Sequence, residues 1–296
     1  MRPLEHPDLA IVVDEQKTLI GGLPVSIMDM EDSARMLVRA ALRARGKNLL
    51  PYYSTSANGQ VIALAGEDAA FRALLLNADQ IHADGMPMVR LSSIVGQEEI
   101  KERVATTDLV HSVARLSQKA GVRFFFLGAT PEINRRAVAN MQRKYPALIF
   151  SGSRDGYFSL DDEPQVVAEI VATRPDIVWI GLGVPKEQEF VARNLERFRG
   201  VGVIKTAGGL FDFLSGKNSR APAWMQNLGL EWLYRTILEP RRLLGRYIKT
   251  SPAALWQIFF NSKPDASSLG GADHGTQIAE EAEARRKSET GKEADK

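Results

Sequence analysis

The sequence predicts an α/β fold, a mostly parallel β-sheet covered on both faces by helices. Three features point there. Apolar, β-branched runs of strand length recur through the first 206 residues, helical patterns of 10–17 residues separate them, and three of the runs end in a glycine turn leading into a helix. Parallel strands need crossovers of about this length, and burial on both faces makes each strand apolar throughout.

In order along the chain, Ile11–Val13 is a first short apolar run. Asp29 opens a capped helix through Arg45, and Asn48–Ser54 reads as the next strand. Glu67–Leu76 is helical, and a short apolar strand then ends at Asp84-Gly85. Asp108–Ala120 and Pro131–Tyr145 are helices around the strand Val122–Leu127. Ala147–Ser151 is a strand followed by the helix Pro164–Thr173, and Ile177–Ile180 a strand followed by the helix Glu187–Phe198. Val201–Thr206 is the last strand. Residues 1–215 thus read as one α/β unit, and 216–262 as a basic, aromatic helical appendage broken at Pro222, Pro240 and Pro252. Residues 263–296 have no aromatics and few apolar side chains, too little to offset the entropy of ordering them, and are expected to be disordered.

The net charge of +2 is too small for a general nucleic-acid binder, but the charge is localised: residues 217–249 carry net +5, the tail from 263 net −2. Within 205–247 the basic side chains Lys217, Arg220, Arg235, Arg241, Arg242 and Arg246 interleave with Trp224, Trp232, Tyr234 and Tyr247. Guanidinium forks bind phosphate oxygens, and Trp and Tyr settle where an apolar phase meets water, so this surface suits a ligand that is apolar at one end and phosphorylated in the middle. A solvated helix whose aromatics complete the core is the alternative. The absence of cysteine fits a reducing cytoplasm and removes thiolate metal sites. With four scattered histidines a zinc site is not expected, and Asp161-Asp162-Glu163 reads as the start of a helix. The N-terminus lacks the apolar run of a signal peptide, and no stretch reaches the roughly 18–20 apolar residues of a membrane span, so any membrane contact is made from the surface.

The three glycine turns are Gly128-Ala129-Thr130-Pro131, Gly181-Leu182-Gly183-Val184-Pro185 and Ala207-Gly208-Gly209. Glycine permits close approach of backbone to ligand, and N–H groups at a helix start face an anion, so a nucleotide diphosphate is the natural guest of a cleft they share. Gly181-x-Gly183 is an incomplete dinucleotide fingerprint, with Lys186 at the third glycine position and no acidic residue near Val201 for a ribose. Asp84, at a strand end, is either a general base or the first residue of an Asp-Gly turn. Asn58 binds a ligand or caps the following helix. Arg103 reaches a phosphate or makes an ion pair, while Thr107 or Asp108 caps the helix after it. His82 is two residues before Asp84 and could share its face, but reads as a packed or solvated histidine rather than a catalyst.

Several ordered blocks, among them NADQIHADGMPMV, ERVATTDL, FFFLGATPEINRRA, PDIVWIGLGVPKEQEFVARN and GGLFDFLSGKNSRAPAWMQNLGLEWLYRTILEPRRLLGRY, resemble the WecG/TagA/CpsF family of bacterial glycosyltransferases from about residue 20 to 250. The resemblance implies a Rossmann-like domain with a C-terminal helical appendage that docks on the membrane. It implies inverting transfer of a sugar from a UDP-sugar to a polyprenyl-diphosphate-linked acceptor, without a metal or other cofactor, on the inner face of the cytoplasmic membrane. Asp84 then falls on the proposed base. Ser56 and Asn58 fall on a pair near the donor site and Arg103 on the arginine of the family's R-V-x-G-T-D motif, as substrate-binding residues, with Gly128, Thr130, Gly181, Gly183, Gly209 and Asp212 lining the same cleft. Arg220, Arg235, Arg241, Arg242 and Arg246 match basic positions of the appendage. The family commonly reads P-K-Q-E after its glycine turn; here Glu187 stands at the glutamine position and Gln188 is displaced by one. A nucleotide-cofactor oxidoreductase on the same sheet and a non-catalytic scaffold of a polysaccharide assembly are the competing readings. The sugar, the acceptor glycan and the oligomeric state, a homo-oligomer included, stay open.

Overall fold

A computed structural model describes residues 15–227 and 229–262, with backbone alone for Ala223, Asn227, Arg242 and Arg246. The expected strand Ile11–Val13 and the tail lie outside the described residues. The chain starts with an antiparallel hairpin of β1 (Lys17–Ile20) and β2 (Leu23–Ser26). Its two-residue turn needs both Gly21 and Gly22, whose φ angles are +57° and +77°.

Six parallel strands follow, β3 (Tyr52–Ala57), β4 (Gln80–Ala83), β5 (Arg123–Gly128), β6 (Ile149–Arg154), β7 (Ile177–Gly181) and β8 (Val203–Thr206), in the order β4-β3-β8-β7-β5-β6. The helices between them are α1 (Met30–Ala44), α2 (Gly59–Glu67), α3 (Ala69–Leu76), α4 (Met86–Val95), α5 (Thr106–Ala120), α6 (Pro131–Lys144), α7 (Glu163–Ala172) and α8 (Lys186–Asn194). After β8 come the short α9 (Leu210–Leu214) and α10 (Ala223–Asn227), then α11 (Glu231–Leu238) and α12 (Pro240–Phe260).

The two-residue period of a strand explains the layering. Phe124, Phe126 and Trp179 face α1, α5, α6 and α9, with the Phe124 and Trp179 rings 5.8 Å apart. Phe125, Leu127, Val178, Ile180 and Ile204 face the other way, onto α7 and α8. A third cluster joins the hairpin, α2, α3 and α4 to Ala254 and Ile258 of α12. At the N-terminal edge of the sheet Asp176 is almost fully buried and accepts from Arg123 (Nε 3.0 Å, backbone N–H 2.8 Å) and Arg45 (Nε 2.9 Å, Nη2 2.7 Å), which fastens the end of α1 to β5 and β7.

The predicted α/β class and parallel sheet are present, with four corrections. The strand expected at 48–54 lies at Tyr52–Ala57. Helix α2 follows the cap candidate Asn58 in a stretch given no bounds, and α4 lies in one given no element; Pro87 sits in the first turn of α4, where its missing N–H costs nothing. Thr106 already begins α5, so Thr107 and Asp108 are in its first turn and neither caps it. Pro252 does not break α12. It lies on the exposed side of one continuous helix, where water can satisfy the carbonyl it leaves unbonded.

The hairpin is tied to the end of α12. Gly21 N–H donates to Ser262 Oγ (2.9 Å) and Gly22 N–H to the Asn261 carbonyl (2.7 Å). The outer side of α11 and α12 exposes Ile237, Leu238, Leu244, Ile248, Trp256, Phe259 and Phe260. Among the described residues no helix is long and apolar enough to cross a membrane.

Candidate active site

Because all six strands run the same way, the turns after β3, β4, β5, β7 and β8 open on one edge. A cavity of about 810 Å³ lies there, closed on its far side by α11 and α12 through Glu231, Trp232, Arg235, Tyr247 and Leu255.

Asp84 is placed on the cavity wall by the sheet itself. Its N–H prolongs the β3–β4 ladder by donating to the Ala57 carbonyl (2.8 Å), and its Oδ2 accepts from the Thr106 N–H at the start of α5 (3.3 Å). Burial pushes this carboxyl up to about 6, against the pull of Arg103, the Thr106 N–H and Lys205. Arg103 is set beside it by the adjoining bond from Val104 N–H to the Ala83 carbonyl (2.9 Å). The Arg103 guanidinium also pairs with Glu231 of α11 (2.9 Å).

Ser56 and Asn58 line the cavity from the end of β3. Ser56 Oγ accepts from Lys205 Nζ (2.7 Å) and lies 3.0 Å from Thr106 Oγ1. Asn58 caps α2, its Oδ1 accepting from Gln60 N–H (3.0 Å) and Val61 N–H (3.2 Å), while remaining on the wall. Thr130 does the same for α6 through Ile133 N–H (3.3 Å).

Gly181, Gly183, Gly209 and Asp212 also line the cavity. Gly128 sits just behind, where a Cβ would stand 2.2 Å from the Gly181 carbonyl oxygen, so it permits the two turns to touch. Glu187 is buried and draws two of the glycine turns together, accepting from Gly183 N–H (3.1 Å) and Gly208 N–H (2.9 Å). Those two N–H groups, expected to hold an anionic ligand, are therefore occupied by a carboxylate of the protein. Burial pushes Glu187 up to about 7. Gln188 faces away from the cavity, with its amide towards Thr55 Oγ1 (3.5 Å) and Glu187 (3.4 Å).

The appendage arginines separate into groups. Arg235 lines the cavity and stacks on Phe213, 5.4 Å from the ring centre. Arg220 lies outside the wall, hydrogen-bonded to Thr107 (2.6 Å), Asp108 (2.8 Å) and Gln226 (2.6 Å) and ion-paired with Glu231 (3.0 Å). Arg241 is exposed at the start of α12, and the side chains of Arg242 and Arg246 lie outside the description. His82 is fully buried against Ser54 (3.3 Å), as expected of a packed histidine. Glu163 begins α7 and pairs with Arg193 (2.7 Å). Among the described residues no three His, Asp or Glu side chains gather as metal ligands.

Two neighbours of the site were not singled out individually from the sequence. Lys205 is fully buried between β3 and β7, and Glu231 bridges Arg103 and Arg220 across the cavity rim. The signal for the first was a lysine inside the apolar strand Val203-Ile204-Lys205-Thr206. A lysine there is costly unless anions meet it.

The glycosyl transferase model of the WecG/TagA/CpsF family matches residues 18–267. The chain is also 30% identical over 190 residues to an N-acetylglucosaminyldiphosphoundecaprenol N-acetyl-beta-D-mannosaminyltransferase of Bacillus spizizenii, covering 64% of this chain and 72% of that one. With the parallel sheet, the strand-edge cavity and the matched length in agreement, this chain belongs to the WecG/TagA/CpsF family of glycosyl transferases.

Proposed function

We propose that the protein transfers a sugar, with inversion, from a UDP-sugar to a polyprenyl-diphosphate-linked acceptor, working at the inner face of the cytoplasmic membrane. The observation that carries this reading is Asp84: a carboxylate with raised basicity on the wall of a strand-edge cavity, flanked by Arg103 and Ser56. The Bacillus relative, by its name, acts on a lipid-linked acceptor of this class.

In this reading the donor lies along the ends of β3, β5, β7 and β8. Ser56, Asn58, Thr130 and Asp212 contribute side-chain polar groups, and the glycine turns give the backbone room to approach the diphosphate. Asp84 takes the proton of the acceptor hydroxyl as its oxygen attacks the anomeric carbon, and UDP departs on the opposite side. A base near pH 6 is ionised at neutral pH yet basic enough to assist, which an exposed aspartate is not. Arg103 and Arg235, at the rim, are the cations placed to meet phosphate charge, with Lys217 on the same wall. Their attraction for the leaving diphosphate supplies stabilisation that a divalent cation provides elsewhere.

The outer face of α11 and α12 brings the acceptor. Its exposed aromatic and aliphatic side chains, with Arg241 and Lys249 beside them, fit an interfacial helix resting on anionic lipid. Screening a panel of UDP-sugars against a polyprenyl-diphosphate-linked monosaccharide tests the reading. Transfer from at least one UDP-sugar is expected; no transfer from any, together with a thermal shift from NAD(P) and none from UDP, would replace it with an oxidoreductase.

A further inference from the structure

Lys205 is the least expected side chain in the molecule. It carries an ammonium into the middle of the sheet, with no exposed surface, and does not reach the cavity wall. A substrate bound in the cavity therefore does not touch it, and its place has to be explained by its neighbours. Lysine is almost never fully buried unless paired.

Those neighbours form a chain leading to Asp84. Lys205 Nζ donates to Ser56 Oγ (2.7 Å), Ser56 Oγ lies 3.0 Å from Thr106 Oγ1, and the Thr106 N–H donates to Asp84 Oδ2 (3.3 Å). The charged and titratable groups facing Lys205 are Asp84 after β4, Glu187 of α8 and the buried His82 of β4. Those facing Asp84 are Arg103, Lys205 and Glu231. Of its two cations, Arg103 has the stronger pull on Asp84 and also pairs with Glu231 (2.9 Å) and Asp108 (3.8 Å) at the rim. Lys205 is anchored instead by a neutral hydroxyl, which leaves its charge to act on the carboxylates.

We propose that Lys205 is a positioning residue for the general base, an internal counter-cation that, through Ser56 and Thr106, keeps the Asp84 carboxylate ionised and oriented toward the cavity. The proposal rests on the reading of Asp84 as the base. Burial pulls Lys205 down to about 7 and pushes Asp84 up to about 6, so the two change state in neighbouring ranges and each ionisation depends on the other.

The test is Lys205→Met, which keeps the length and removes the charge. Two readouts are taken in parallel: the titration of Asp84 by ¹³C carboxyl resonances in the ligand-free protein, and the pH dependence of kcat/KM. The Asp84 midpoint is expected to rise by about one pH unit or more, with the acidic limb of kcat/KM following it and the high-pH rate held within a few-fold. An unmoved Asp84 titration, or a rate loss equal at every pH, would overturn the proposal and leave Lys205 a packing residue. A titration that moves while the limb stays would uphold the coupling and remove Asp84 as base, so the two ideas fail separately. Should Lys205→Met not fold, the reciprocal measurement stands. Following Lys205 by its ¹⁵Nζ resonance, Asp84→Asn is expected to lower the lysine midpoint by about one unit; an unchanged midpoint overturns the proposal.

Discussion

Asp84 owes its proposed role to burial. In water an aspartyl carboxylate is a weak base near pH 4, and here desolvation outweighs Arg103, Lys205 and the Thr106 N–H to bring it to about 6. The sign of the pH dependence follows. Below pH 6 the carboxyl holds a proton and cannot take one, so kcat/KM should fall about tenfold per unit there and level off above. A flat profile from pH 5 to 8 would count against the assignment. At this scale the sequence was half legible. Asp84 and Asn58, read as strand-end residues, meet on one wall with Ser56 and Arg103, which the family resemblance pointed to, whereas Gln188 points away and Arg220 spends its fork on Asp108. Adjacent residues at a helix start face different ways, and an arginine's partner is set by tertiary contacts, neither of which a linear pattern reveals.

Among the elements, the strands and the long helices were legible because their apolar periods are set by burial in layers. The hairpin and α4 were not, and α2 showed only through its cap candidate Asn58. The cues Gly21-Gly22 and Pro87 mean turn or break locally and become hairpin or first turn only in context. What fastens the elements at the far edge of the sheet is the Asp176 clasp. Burial favours its protonated form, but hydrogen bonds from Arg123 and Arg45 prevail and hold the carboxyl below its usual range. With the folded value depressed, the clasp stabilises the protein above the ordinary aspartate range and is lost as pH falls through the folded value. Asp176→Ala should cost about 3 kcal/mol in denaturant unfolding at pH 7, the low end for breaking a buried pair because both arginines are partly exposed. Asp176→Asn should lessen the loss of stability below pH 4. A cost under about 0.5 kcal/mol would mark it as an ordinary surface pair.

For the whole molecule, α12 serves two surfaces at once. One side buries Leu243, Ala254 and Ile258, and the other exposes Leu244, Ile248 and Phe259, which fall on one stripe at helical spacing. Deleting the appendage would therefore strip the core and confound any membrane assay. Ile248→Glu combined with Phe259→Glu alters the exposed side alone. That variant should keep its melting temperature within a few degrees, lose flotation with anionic liposomes, and retain activity on a short, water-soluble acceptor. Unchanged flotation would remove α12 as the docking face.

The central claim, sugar transfer driven by Asp84, is tested most directly by the rate of transfer from a UDP-sugar to a lipid-diphosphate acceptor in the wild type and in Asp84→Asn. A fall in kcat of about a hundredfold or more is expected, with UDP affinity and folding unchanged. Near-normal turnover by a folded Asp84→Asn protein would contradict it.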